Sequence, residues 1–314
     1  MHRRLGKVLP AALLATVMAG CGHSPAAAPV AKPTEKTTTP PATTTAPPAT
    51  TTQAPELPLG GRTVFPNYRV VAYYGTAGTS ALGVLGQGSP EQAAGAIDQA
   101  AQRFATPDRK VQPAMEFIAT VADHSPGPAG AYSHDVAVAQ VQRYLDAARS
   151  HHQLFILDIQ PGHRDFLSAV QPWQNLLAQP DVGLALDAEW RMPEGKVPGE
   201  AIGHVEVPEV NQVLDWTANL TRSGDLPQKV VLLHMFRSTM ITDLNAITEH
   251  PELALVQHLD GFGGVQTKMD VYHNLADPQR FHMGFKLFYT EDHPLLGPGE
   301  VLAMKPQPEF VSYQ

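Results

Sequence analysis

Residues 61–314 are predicted to fold as an α/β domain, a (β/α)8 TIM-like barrel with its last helix missing. Three observations lead there. Short, almost continuously apolar runs occur eight times, stretches with helical spacing of apolar residues separate most of them, and the eighth run stands last in the sequence. Strands that are apolar along their length belong to a sheet covered on both faces, and intervening helices make such strands parallel. Eight of them in about 250 residues suit a closed barrel. An open, doubly wound sheet is the rival. Against it, residues 75–88 lack the ordered GxGxxG spacing of a dinucleotide loop.

The elements follow in order. The first strand is 69–75. Ser89-Pro90-Glu91-Gln92 then starts a helix, with Ser89 as N-cap, Pro90 in the first turn and Gln92 closing a capping box. Ala93, Ile97, Ala100, Ala101 and Phe104 continue at helical spacing. A strand over 111–118 precedes the stripe Val138, Val141, Tyr144, Leu145 and Ala148. Strand 154–158 leads to a helix over 166–177. Strand 182–187 leads to the stripe Val210, Val213, Leu214, Thr217 and Leu220, ended by Gly224. Strand 229–236 is followed by a short helix over 238–247. Strands at 253–259 and 283–289, a short helix at 298–303 and a strand at 310–313 complete the series.

The first sixty residues have another character. Arg3, Arg4 and Lys7 precede an apolar run from 8 to 19, too short to span a bilayer, which ends at Met18-Ala19-Gly20-Cys21. The sequence holds 1 cysteine, so an intrachain disulfide and Cys-rich metal frameworks are excluded. From Ser24 onward the chain is Ala, Pro and Thr with few charges, and 37–52 contain nothing else. Such a segment cannot bury enough apolar surface to offset its ordering entropy. In polyproline II form some 35 residues reach on the order of 100 Å. The expected organisation is a signal peptide over 1–20, a lipidated Cys21 with a disordered tether over 21–60, and the barrel over 61–314. The formal net charge of −8 argues against a phosphate-driven nucleic-acid binder. The domain is read as a monomer.

Function in such a barrel sits at the C-terminal ends of the strands. The polar residues there are Tyr74 on strand one, Glu116 on two, Asp158 and Gln160 on three, Asp187 and Glu189 on four, His234 on five, Asp260 after six, and Lys286 and Tyr289 on seven. Asp187-x-Glu189 is the strongest local signal. Residues two apart on a strand face the same way, and two carboxylates that close push one pKa upward. That gives a general acid with an ionised partner. Asp158 or Asp260 is the candidate base or nucleophile. Trp190, Phe236, Phe262, Tyr74 and Tyr289 offer aromatic faces that suit sugar rings, although aromatics also serve as ordinary core. A carboxylate at a strand end also caps helices or pairs with lysine, so each acid has a purely structural reading too. No HExxH, HxH or GxSxG occurs. No zinc and no cofactor are assigned, and a carboxylate-bound Mg²⁺ or Ca²⁺ stays open.

Residues 18–21 resemble the bacterial lipobox, which implies lipidation of Cys21, attachment to the membrane and an extracytoplasmic location. The tether composition is similar to that of actinobacterial lipoproteins. Leu186-Asp187-Ala188-Glu189-Trp190 resembles the strand-four end of barrel glycoside hydrolases of the chitinase-like and lysozyme-like kind. Ala185 and Val182 stand where the chitinase pattern has aspartates, and the Asn-Glu pair of the commonest barrel glycosidases is missing. More widely, residues 157–162, 185–190, 260–263 and 284–289 resemble a group of secreted bacterial lipoproteins with a glycosidase-like barrel. These resemblances imply a glycan as ligand. Two readings follow, a cell-envelope glycosidase with Glu189 as acid and Asp187 tuning it, and a non-catalytic carbohydrate- or small-molecule-binding lipoprotein.

Overall fold

The structure, a computed structural model, describes residues 54–127 and 129–314. The signal peptide, Cys21 and most of the expected tether lie outside the described residues. The barrel strands are β1 Tyr68–Gly75, β2 Lys110–Ala122, β3 Leu154–Ile159, β4 Val182–Asp187, β5 Lys229–Met235, β6 Leu253–Leu259, β7 His282–Leu287 and β8 Phe310–Tyr313. Each pairs in parallel with the next, and β1 pairs with both β2 and β8, so the sheet closes. The chain is a TIM-like barrel. A short strand, Ser133–Asp135, adds antiparallel to the end of β2.

Strand parity sorts the residues. Val71, Met115, Phe155, Leu157, Val231 and Leu233 face outward and form the main core with the helices. Val70, Ala72, Ala114, Ile156, Ala185, Leu232 and Val256 alternate with them and fill the lower interior. Leu57, Val64 and Phe65, which precede β1, belong to that inner cluster and plug the barrel floor. Tyr68 ties this plug in by donating its hydroxyl hydrogen to the carbonyls of Leu59 and Gly60. The folded domain therefore begins a few residues before the expected boundary at 60, because Leu57 supplies apolar surface that the tether composition lacks.

The helices are α1 Pro90–Gln102, α2 Val138–Ser150, α3 Phe166–Val170, α4 Gln174–Leu177, α5 Val207–Ser223, α6 Val265–Leu275 and α7 Pro298–Ala303. The capping box forms as the sequence predicts, with Ser89 Oγ accepting from Gln92 N at 3.3 Å and Gln92 Oε1 accepting from Ser89 N at 2.9 Å. Val138 is 60% exposed despite its place in the predicted stripe, because it sits at the helix start. The helix expected over 166–177 is broken into α3 and α4 by a 3-10 turn at Gln171–Trp173. Pro172 supplies no N–H to a continuous helix. The expected helix over 238–247 does not form. In its place stand a two-residue strand, Ile241–Thr242, paired with Val205–Glu206, and a 3-10 turn, Leu244–Ala246. Thr239, Ile241 and Thr242 are β-branched, and Asp243 at φ +52° interrupts any helix. Conversely, α6 is absent from the elements expected from sequence, although Val265, Met269, Tyr272 and Leu275 stand at helical spacing and pack against the main core. Among the described residues no helix follows β8, and none is long and apolar enough to cross a membrane.

Gly183 on β4 marks a tight strand contact in the lower barrel. A Cβ there would lie 2.7 Å from the Val230 carbonyl oxygen. Gly183→Ala is expected to lower the unfolding free energy by about 1–3 kcal/mol through overpacking. Urea denaturation measures it, and an unchanged midpoint would show that β4 and β5 are less closely apposed.

Candidate active site

The parity that fills the lower interior with small and branched apolar residues places polar ones two steps further along. Tyr74 follows Val70 and Ala72, Glu116 follows Ala114, Asp158 follows Ile156, Asp187 follows Ala185, and His234 follows Leu232. Lys286 and Ser312 complete the ring from β7 and β8, which pair at these positions. All are buried.

His234 is the centre of this layer. Its Nε2 lies 2.7 Å from Glu116 Oε1 and 3.5 Å from Asp158 Oδ2, and its Nδ1 lies 3.0 Å from Asp260 Oδ2. Burial alone would lower the imidazole pKa, but the Glu116 charge and the bonds to Asp260 and Glu116 raise it well above its usual value. Burial would likewise lift Glu116 and Asp260, yet the His234 contacts hold both below the ordinary range. Asp158 has no such contact strong enough. Desolvation and the neighbouring Asp187 raise it well above the usual carboxylate range. His258, one strand further round, stands edge-on to His234 at 4.7 Å between centroids and shares a hydrogen bond of 2.8 Å with Ser312 Oγ. Desolvation, reinforced by His234, lowers its pKa to about 3. The ring fits only because residue 284 is glycine; a Cβ there would lie 2.6 Å from His258 Nδ1. Glu116, His234 and His258 are the described residues able to hold a metal ion, with one donor atom from each within 4.8 Å of the others.

Above this layer the strand ends open into a cavity of about 250 Å³. Tyr74, Gln160, Glu189, Trp190, Asp260, Phe262 and Lys286 line it. Glu116, Asp158, Asp187 and His234 lie below, almost fully buried. Tyr74 joins the two levels. Its hydroxyl donates to Asp187 Oδ2 at 3.4 Å and accepts from Gln160 Nε2 at 3.0 Å, while Lys286 Nζ lies 3.4 Å from the ring centroid. That is a desolvated cation–π contact. A larger hollow of about 770 Å³ lies beside Tyr68 and Lys110, where β1 and β2 begin, away from the converging acids.

Glu189 reaches the cavity differently from the expectation. β4 stops at Asp187, and Glu189 sits in a 3-10 turn, Ala188–Trp190, so strand alternation does not place it. The turn is held by Gly203 N donating to Glu189 O at 2.6 Å. Burial, with Asp187 and Asp260 nearby, pushes the Glu189 carboxyl up to about 8. Burial also raises Asp187, to about 6, with the charge on His234 restraining the rise.

Tyr289 does not line the cavity. β7 ends at Leu287, Phe288 faces the mouth, and Tyr289 turns outward to stack on Tyr313 at 5.1 Å and 18°. His134 pairs with Asp123 and His151 with Asp98, and neither lines the cavity. Sequence reasoning missed His258, Phe288, Glu291 and Gln314. The first was findable by parity, as the position two beyond Val256. Lys268, on α6, is a further buried support. Its ammonium pairs with Asp292 at 3.0 Å and donates to Lys286 O at 2.8 Å, while Asp292 accepts from Gly263 N and Phe288 N. This clamp joins the loop carrying Phe262 to the end of β7.

Fold and site together define a closed parallel barrel whose mouth is lined by carboxyl groups and aromatic rings. No protein-family model and no curated protein matches the chain. Among solved structures, a dihydropteroate synthase from Xanthomonas albilineans with 4-aminobenzoic acid is similar at 12% identity and a TM-score of 0.32, over 79% of this chain and 88% of that one. The barrel assignment rests on the strand pairing above, since a TM-score of that size carries no weight.

The raised Glu189 pKa has a thermodynamic consequence. An unfolded chain loses this proton near 4.5, whereas the folded one keeps it up to about 8. Stability must therefore fall through Glu189 as pH rises across that window, and level off above it. Glu189→Gln removes this contribution. Its stability relative to the unmodified protein is expected to increase from pH 4.5 to 8, followed by denaturant unfolding, and parallel pH curves would contradict the assignment.

Proposed function

We propose that this protein is a membrane-anchored cell-envelope lipoprotein whose barrel hydrolyses a glycosidic bond by carboxylate acid–base chemistry. The observation that carries the reading is Glu189, a mostly buried carboxyl on the cavity wall with a pKa of about 8. Such a group is protonated at neutral pH and can deliver its proton to a leaving oxygen. Asp260 is the complementary carboxylate. It lines the same cavity, its pKa is lowered despite burial by the hydrogen bond to His234, and its Oδ1 has no hydrogen-bond partner. It acts as the base or nucleophile. Asp158 is less suited, being outside the cavity and raised in pKa by burial and the neighbouring Asp187. Asp187 sets the acidity of Glu189, and Lys286 holds the developing charge in check. Trp190 and the 57% exposed Phe262 provide faces for a sugar ring. The cavity is small beside the roughly 300–1,000 Å³ of drug-sized ligand sites and suits a single sugar residue.

One observation favours the binding-only reading. His234 bonds to both Glu116 and Asp260, as a purely structural ion pair would. A glycan panel followed by product chromatography, beside calorimetric titration, separates the two. Turnover that falls at least about a hundredfold in Glu189→Gln supports the enzyme. Saturable binding that survives this substitution, with no product, supports the binding protein.

The anchor rests on the basic and apolar segment before Cys21 and on that residue being the sole cysteine. The full chain expressed in a bacterium is expected to partition into detergent, and Cys21→Ala into the aqueous phase. Equal partitioning of the two would remove lipidation from the reading.

A further inference from the structure

We propose that the buried layer beneath the cavity is a binding site for one divalent ion of the zinc class, with Glu116, His234 and His258 as ligands. The inference stands apart from the glycan reading, since none of the three lines the cavity.

The donor geometry is the first support. Donor atoms about 2 Å from a tetrahedral ion lie roughly 3.3 Å from one another. From His234 Nε2, Glu116 Oε1 is 2.7 Å away, and a His258 ring nitrogen completes a set within 4.8 Å of the Glu116 and His234 donors. Two imidazoles and a carboxylate form the nitrogen–oxygen set that suits zinc and its neighbours. Asp158, 3.5 Å from His234 Nε2, stands beside this set.

Unsatisfied groups are the second and independent support. Both Asp158 oxygens, Glu116 Oε2 and His258 Nδ1 are buried without a hydrogen-bond partner. A buried polar group that nothing meets keeps its full desolvation cost. An ion held by Glu116, His234 and His258 would place a positive charge beside the unpaired Asp158 carboxyl.

The surroundings are the third. Metal-binding imidazoles generally donate their other N–H to a carboxylate, which fixes tautomer and orientation. Asp260 Oδ2 occupies that position, 3.0 Å from His234 Nδ1. Gly284 provides the space for His258, and Ser312 holds its ring. The layer is fully buried beneath the cavity, so the ion's role is structural. It would fix the charge on which Asp260 and Asp187 rest. The site has no sequence motif because its donors come one each from β2, β5 and β6.

The test uses the full chain in detergent, incubated with zinc chloride, or with cobalt chloride as a coloured substitute, and then desalted. About one zinc per chain by elemental analysis is expected, with the visible absorption of protein-bound cobalt in the parallel sample. Glu116→Gln and His258→Gln should each weaken zinc binding at least tenfold. Far-ultraviolet circular dichroism shows whether they fold. If either fails to fold, the cobalt spectrum of the unmodified chain decides. No retained zinc and no cobalt absorption would overturn the proposal, as would unchanged zinc affinity in both folded variants.

Discussion

His234 sits in the desolvated barrel interior with Glu116 on one ring nitrogen and Asp260 on the other. Buried charges persist only when paired and hydrogen-bonded, and removing one partner leaves the other uncompensated. The arrangement therefore constrains everything above it. It keeps Asp260 ionised at the cavity wall, limits how far Asp187 rises, and leaves Glu189, which has no cationic partner within 4 Å among the described residues, to keep its proton. Three carboxyl groups, two on the cavity wall and Asp187 just beneath it, thus take three different protonation behaviours from one buried ring and its neighbours.

The fold supplies this diversity through simple alternation. A closed barrel has one interior, and every second residue of each strand must enter it. Below, these positions are small or branched and fill the space. Above, they are polar, and the helices outside the barrel are indifferent to the change. The Lys268–Asp292 clamp acts where alternation ends, on the segments after β6 and β7, whose direction no strand dictates.

Much of this was legible in the sequence, for identifiable reasons. The bounds of β4, β6 and β8 matched because their apolar runs are sharply delimited, and α1 was marked by Ser89, Pro90 and Gln92. The helix expected at 238–247 failed because local polarity looked helical while β-branched residues and Asp243 favoured another course. The acids of the mouth could be named because they follow apolar runs. Their roles could not, since only closure brings Glu116 from β2 against His234 from β5. Glu189 and Tyr289 show the limit of parity. Both lie beyond the end of their strand, where the two-residue period no longer tells direction. One turned into the mouth and the other out.

Gln314 lies on the cavity wall, its backbone N–H bonded to Leu287 O at 2.8 Å and its carbonyl accepting from Tyr289 at 3.0 Å. A label, affinity tag or partner protein fused after it would start at the rim of the opening and shade the approach of any large ligand. Fusions placed ahead of Leu57 join instead at the opposite pole, where the floor is already sealed.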